Sequence, residues 1–482
     1  MSKNLSDKAI WSSIWSLADV VLSKGATFII GLILARLLSP SDFGLIGMMT
    51  IFITLCDTFI ESGLSNALIR KTDRSQSDCS TAFFFNILLS IVAYLLLFSC
   101  SGIISVFFNE GELKVLIKVL GLNVILFALY LVPYALVISS FTTKILARVN
   151  FVSNLLSGIV AVILAYCGFG VWALVAQSLL VNLFKCIGFW LCVKWRPIFT
   201  ISRESIQYLW GYGSKSLLIG LLGTLFNNIY NLLIGKYFTK QDLGFYTRAQ
   251  QFVQLPISII ESTFMKVSVA TFAVLQDDRK HLKDVYRKYI NVMAFIVFPL
   301  CLLISTLAKP LILFLLTEKW QMSIIMLQIL SIGACFSPLG ILNICLLQAI
   351  NEVGYSLKLE IAKKTVCLII IFITFPLGLL PMVIGVAGYN VVGSFMNLSG
   401  SRKYIGYKYQ EQLFDIGKYF IVALFADVIV QFFFGIVELS NLLQLILGSL
   451  LFISVYLIVT RMLNFSAWNN VIEIGNKIIH RE

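Results

Sequence analysis

Histidine is nearly missing from this chain: His281 and His480 are the only two in 482 residues. The ten cysteines include no CxxC pair, and Cys56, Cys100, Cys167, Cys301 and Cys345 sit singly in apolar stretches. These scarcities leave no set of ligands for zinc and no disulfide framework. A phosphate-binding glycine loop is also missing. Gly168-Phe169-Gly170 and Gly211-Tyr212-Gly213 have the wrong spacing for a nucleotide fingerprint and lack the following acid. No small-residue cleavage site follows the first apolar run near Ile10, so the N-terminus reads as a first span, not a removed signal. The expectation is a protein without metal or cofactor, and not an enzyme.

What is present is apolar length. Only 13% of residues are charged while 59% are hydrophobic, and mean hydropathy is +0.91. Roughly fourteen continuous apolar stretches follow one another with short polar joints, each near the 20 residues that carry a helix across a bilayer. A β-barrel would alternate over strands of about ten residues. The fold class expected is all-α: a polytopic membrane protein with about 14 transmembrane helices.

The net charge of +13 resembles a nucleic-acid signature until its distribution is read. With the N-terminus inside, 25 of the 37 basic residues fall on the inner joints and their edges, among them Arg70, Arg74, Lys144, Arg279 and Arg402. The outer joints hold seven: Arg36, Lys114, Lys118, Lys236, Lys240, Lys309 and Lys319. By the positive-inside rule both termini are cytoplasmic. The basic excess is a topology signal, and no nucleic-acid partner is implied.

The chain repeats itself with a shift of 200 residues. Ala35 to Gly44 (ARLLSPSDFG) aligns with Gly235 to Gly244 (GKYFTKQDLG), and Ile60-Glu61-Ser62 with Ile260-Glu261-Ser262. An offset of six helices preserves orientation, as parallel repeats related by an axis along the membrane normal require. The expected organisation is a six-helix lobe over 1–194, an interfacial linker over 195–206 and a second six-helix lobe over 207–408. Helices 13 and 14 follow over 409–463, then a cytoplasmic amphipathic tail over 464–482.

Four spans carry polar stripes, equivalent in pairs under the repeat. The first has Ser12, Ser16, Asp19, Ser23 and Thr27, with Lys24 at its margin, and the seventh has Gly220, Thr224, Asn227, Asn228 and Asn231. The second places Thr50, Thr54, Asp57, Glu61 and Ser65 within roughly 100° of arc. The eighth places Arg248, Gln251, Gln254, Ser258, Glu261, Ser262 and Lys266 within roughly 140°. Small polar residues also serve as glue between membrane helices, and that reading stays open for the serines. It fails for Asp57 and Glu61. Two like charges one turn apart destabilise each other, so one must hold a proton or face a cation. Lys24 is the expected cation. Arg248 and Lys266 either face a cavity or snorkel to the interface. Asp427, in the thirteenth span, has no evident partner in the sequence and suggests a helix contact.

Several segments resemble the Wzx-type flippases of bacterial surface polysaccharide assembly. They are ARLLSPSDFGLIGM from Ala35, FIESGLSNALIRK from Phe59, Asp78-Cys-Ser-Thr with Asn86, GFGVWALVAQ from Gly168, and GFYTRAQ from Gly244 followed by Leu255-Pro256. The resemblance covers about residues 1–300 well. It implies the multidrug/oligosaccharidyl-lipid/polysaccharide exporter fold: two six-helix lobes related by pseudo-two-fold symmetry around a cationic cavity, plus two C-terminal helices. It also implies a polyprenyl-diphosphate-linked oligosaccharide as substrate, moved by alternating access across the bacterial inner membrane for polysaccharide or lipopolysaccharide biosynthesis. Partners would be membrane lipids, a proton or sodium ion, and polysaccharide assembly proteins. On that basis Lys24, Arg36, Arg248 and Lys266 are candidates for the diphosphate, and Asn227, Asn231, Gln251 and Gln254 for the sugars. Asp57, Glu61 and Glu261 are candidates for ion coupling. The alternatives are a drug or metabolite antiporter of the same fold and, further off, a membrane polysaccharide polymerase or ligase. The latter needs a sizeable outer loop that this chain lacks.

Overall fold

The computed structural model describes residues 22–61, 68, 71, 73–140, 142–200 and 202–468. Every regular element among them is helical. We number the long helices in chain order. The first half of the order is α1 (22–37), α2 (Pro40–Ile60), α3 (Gln76–Phe108), α4 (Leu113–Ser139), α5 (Thr143–Tyr166), α6 (Val171–Cys192) and α7 (Arg203–Tyr237). It continues with α8 (Lys240–Val274), α9 (Arg279–Thr306), α10 (Met322–Ala349) and α11 (Val353–Thr374), then α12 (Leu379–Ile405), α13 (Tyr409–Ile436) and α14 (Asn441–Met462). Eleven of these are long and apolar enough to cross a membrane. With α1, α7 and α11, each expected span corresponds to a helix.

The helix starts follow from local chemistry. The Ser39 hydroxyl accepts the Asp42 amide at 3.3 Å while Asp42 accepts the Ser39 amide at 2.9 Å, closing a capping box on α2. Thr239 and Asp242 repeat this at α8, at 3.1 Å in each direction. The 200-residue repeat therefore appears as one cap built twice. At α3, Asp78 closes a third box with Ser75 and accepts Lys71 and the Ser205 hydroxyl, each at 2.7 Å. That aspartate, part of the sequence resemblance, joins the start of α3 to the start of α7.

By its internal contacts the chain falls into two compact units, 1–247 and 248–482. In the first, α5 and α6 form a hairpin, α4 packs on α3 and α6, and α7 packs on α2 and α3. The expected interfacial linker is extended and strapped to α3: the Ile198 and Ser202 amides donate to the Ser80 and Thr81 hydroxyls, each at 3.1 Å. In the second unit α9 packs on α13 and α10, α10 on α12, and α13 on α14. Arg287 of α9 grips Asp415 of α13 through two hydrogen bonds, at 2.5 and 2.9 Å. Asp427, read from sequence as lacking an evident partner, has two. Thr306 donates to it from α9, and Gln431 donates at 3.2 Å. It is a helix contact, formed where a half-buried carboxylate finds one donor on the neighbouring helix and one on its own. Ser12, Ser16, Asp19, Ser62, Ser65 and the tail beyond Trp468 lie outside the described residues.

Candidate functional site

On α2 the threonines of the polar stripe are satisfied within the helix. Thr50, Thr54 and Thr58 donate to the carbonyls of Ile46, Thr50 and Thr54 at 2.7–2.8 Å, the usual local bond of hydroxyls in helices. Thr58 also meets Thr224 of α7 at 2.8 Å. There Asn228 donates to the Thr224 carbonyl at 2.9 Å, and Asn231 lies 3.5 Å from Asn228. Two of the polar stripes, those of α2 and α7, thus meet inside the first unit.

Asp57 and Glu61 remain. Asp57 Oδ1 is buried with no hydrogen-bond partner among the described residues, and its near electrostatic neighbour is Glu61. The pairing expected from Lys24 is not made there, and Lys24 is exposed. Both carboxylates lie within electrostatic range of the Tyr130 hydroxyl. That hydroxyl donates to Asn182 Oδ1 at 3.0 Å, and Asn182 donates in turn to Asn123 at 3.0 Å. A polar chain thus runs from α4 to α6 and back beside the two acids. Our sequence reading missed Asn123, Tyr130 and Asn182. The available signal was Asn123, the lone amide of α4, and Asn182 in the largely apolar second half of α6, since an intramembrane polar group needs a partner.

In the second unit Arg248 is only 3% exposed. It donates to Gln251 at 2.6 Å, and its guanidinium stands 5.6 Å from the Trp320 ring centre, so it does not snorkel. Glu261 accepts a long bond from Ser337 at 3.4 Å. Lys266 and Gln254 on the same helix are exposed, as are Arg36 and Asn227 in the first unit, while Asn231 is half-buried. The structure therefore groups Arg248 with Gln251, and Asp57 with Glu61, while Lys24, Arg36 and Lys266 are exposed.

A family described as polysaccharide biosynthesis protein matches residues 33–325. The chain is 24% identical to the succinoglycan biosynthesis transport protein ExoT of Rhizobium meliloti, over 69% of this chain and 66% of that one. It is 24% identical to the teichuronic acid biosynthesis protein TuaB of Bacillus subtilis, over 57% of each. The lipopolysaccharide biosynthesis protein WzxC of Escherichia coli is also 24% identical, over 75% of this chain and 74% of that one. The matches thus span less than two thirds of the length of the first two relatives. Among solved structures, the lipid II flippase MurJ in an inward closed conformation superposes with a TM-score of 0.74 at 13% identity, covering 94% of this chain and 99% of that one. An inward-facing multidrug resistance MATE transporter of the MOP superfamily follows at 0.63 and 19%, covering 82% and 94%. These likenesses show the fold.

Proposed function

Because this chain belongs to the family of polysaccharide biosynthesis proteins, we propose that it is a flippase for polyprenyl-diphosphate-linked oligosaccharide repeat units, working by alternating access in the bacterial cytoplasmic membrane. The observation that carries the reading is the composition of the fold. A member of a polysaccharide family built almost wholly of membrane-crossing helices meets its sugar where only a lipid-linked form resides. The named activities of the relatives, biosynthesis transport among them, agree. In this reading both termini are cytoplasmic, which the 25-to-7 distribution of basic residues supports. The buried guanidinium of Arg248 attracts the diphosphate, Gln251 orients it, and Asn231 with Gln254 takes sugar hydroxyls. Asp57 and Glu61 carry the coupling ion, a proton or sodium, and the Tyr130–Asn182–Asn123 chain completes their environment.

The test is flipping of a fluorescent polyprenyl-diphosphate oligosaccharide in vesicles containing the purified protein. We expect translocation, lost in Arg248→Gln with membrane abundance retained. Efflux of soluble organic cations without movement of the lipid-linked sugar rejects the reading in favour of an antiporter of the same fold.

A further inference from the structure

At one end of the first unit four helix termini converge: the starts of α3 and α5 and the ends of α4 and α6. Between them lies a cavity of about 400 Å³, within the range of roughly 300–1,000 Å³ that small-molecule sites occupy. Its lining is of two kinds. Arg74 and three hydroxyl residues, Ser139, Ser140 and Thr142, supply polar groups, and Leu136 and Val137 begin an apolar wall. The Arg74 guanidinium is fixed in place. Its Nε donates to the Lys71 carbonyl at 2.6 Å and a terminal nitrogen donates to the Ser139 hydroxyl. The Thr142 side chain makes no cap on α5, whose 24-residue length directs the positive end of its dipole to the same place.

The surroundings add charge and an interface. Lys144 and Arg148, one turn apart on α5, are exposed, as are Lys194 and Arg196 just beyond α6. Arg196 lies over Trp190 at 5.4 Å, and Trp190 packs beside Trp195, in the manner of an aromatic belt at the membrane–water boundary. Apolar side chains face outward next to the cavity: Leu191 at the end of α6 and Val152 on α5. A basic pocket of this kind, between membrane helices at the cytoplasmic boundary, is suited to anionic lipid headgroups.

We propose that this cavity binds the phosphate group of an anionic phospholipid of the inner leaflet. Arg74 holds the phosphate. Ser139 and Ser140, which donate to the Leu136 and Val137 carbonyls at 3.0 and 3.1 Å, and Thr142, 2.7 Å from the Ser140 hydroxyl, turn their hydroxyls to it on binding. Lys144, Arg148, Lys194 and Arg196 add long-range attraction, and the acyl chains run along the exposed apolar surface of α5 and α6. The assignment to the inner leaflet rests on the topology given under the proposed function. The lining shares no residue with the polar chain around Asp57 and does not include Arg248, and the proposal needs neither.

Cys192, exposed and part of the lining, reports occupancy in the full-length protein. Its maleimide labelling, followed by peptide mass spectrometry, is compared in micelles containing phosphatidylglycerol or phosphatidylcholine. Further arms contain inorganic diphosphate or polyprenyl diphosphate. We expect phosphatidylglycerol alone to slow labelling. Arg74→Gln removes a charge-assisted hydrogen bond and should require about tenfold more phosphatidylglycerol for the same protection. Ser140→Phe, at an exposed position that tolerates a large side chain, obstructs the opening and should abolish protection even where Arg74→Gln folds poorly. Lys114→Gln, at the opposite membrane face, should change nothing. Equal protection by phosphatidylcholine overturns the proposal, and so does protection by either diphosphate without phosphatidylglycerol. Indifference to both cavity variants overturns it too. Loss of flipping with phosphatidylglycerol protection intact would fall on the transport reading alone, and the converse on the lipid site alone.

Discussion

Gly44 lies directly against the backbone of Lys240: a Cβ on Gly44 would stand 1.7 Å from the Lys240 carbonyl oxygen. Under the 200-residue shift these positions become Gly244 and Pro40, and a Cβ on Gly244 would stand 2.0 Å from the Pro40 carbonyl oxygen. The two contacts exchange with each other, as a local two-fold axis between the first turns of α2 and α8 requires. Glycine is needed at both positions because backbone approaches backbone, where no neighbouring side chain can move aside.

Gly44→Ala and Gly244→Ala should therefore each lower stability by about 1–3 kcal/mol, the ordinary cost of overpacking. Because the two share one crossing, their effects should not add. Gly223 on α7 has no heavy atom within 4 Å of its Cβ position. There alanine should be neutral or stabilising by up to about 1 kcal/mol. Thermal unfolding of the detergent-solubilised protein, with the three variants side by side, measures this. An unchanged melting temperature in Gly44→Ala would contradict the close contact.

The joint between α12 and α13 should make stability fall in alkali. The buried Tyr407 hydroxyl donates to Asp415 at 2.5 Å, and burial together with that bond holds its titration well above the ordinary tyrosine value. The folded state then keeps a proton that the unfolded chain releases near pH 10. The contribution is complete below that pH and is lost progressively as pH rises above it. Tyr407→Phe should lower stability near neutrality by about 1–3 kcal/mol, since it deprives the carboxylate of a donor, and should flatten the decline above about pH 10. Melting curves from pH 7 to 11 on both proteins compare the slopes. An identical alkaline slope removes Tyr407 from the account.

For the intramembrane acids the proposed role separates from a merely structural one by paired measurements. Glu61→Gln and Asp57→Asn keep shape and remove charge. As coupling groups they should stall flipping while membrane abundance stays normal, because neither carboxylate has an ion-pair partner to lose among the described residues. Glu261→Gln should have a smaller effect, since Glu261 has no second carboxylate one turn away on its helix, as Asp57 and Glu61 have in each other. Normal flipping at every pH in all three variants ends the coupling proposal.

Topology is checked by cysteine labelling in intact cells. Joints near Arg74, Lys144, Arg279 and Arg402 should be protected from impermeant reagents. Those near Ser39, Gly111, Gln241 and Glu438 should react. External labelling near Arg279 would reverse the orientation drawn from the basic residues and, with it, the leaflet of the proposed lipid site.

Much of this protein was fixed by its sequence alone, and for a physical reason. Inside a bilayer the backbone must satisfy itself, so a long apolar run means a helix wherever it occurs. Caps such as Ser39 with Asp42 and Thr239 with Asp242 are just as local, built from residues three apart, and their shared pattern is what made the repeat readable. Tertiary structure decided what those helices face. Periodicity placed Asp57 and Glu61 on a polar side of α2, but not that Tyr130, hydrogen-bonded to Asn182, would stand near them in place of Lys24. It placed Arg248 and Lys266 on one stripe, yet one is buried beside Trp320 and the other exposed. A single helix cannot specify which of its polar residues meets a neighbour, because that depends on crossings such as Gly44 on Lys240, between residues nearly 200 positions apart.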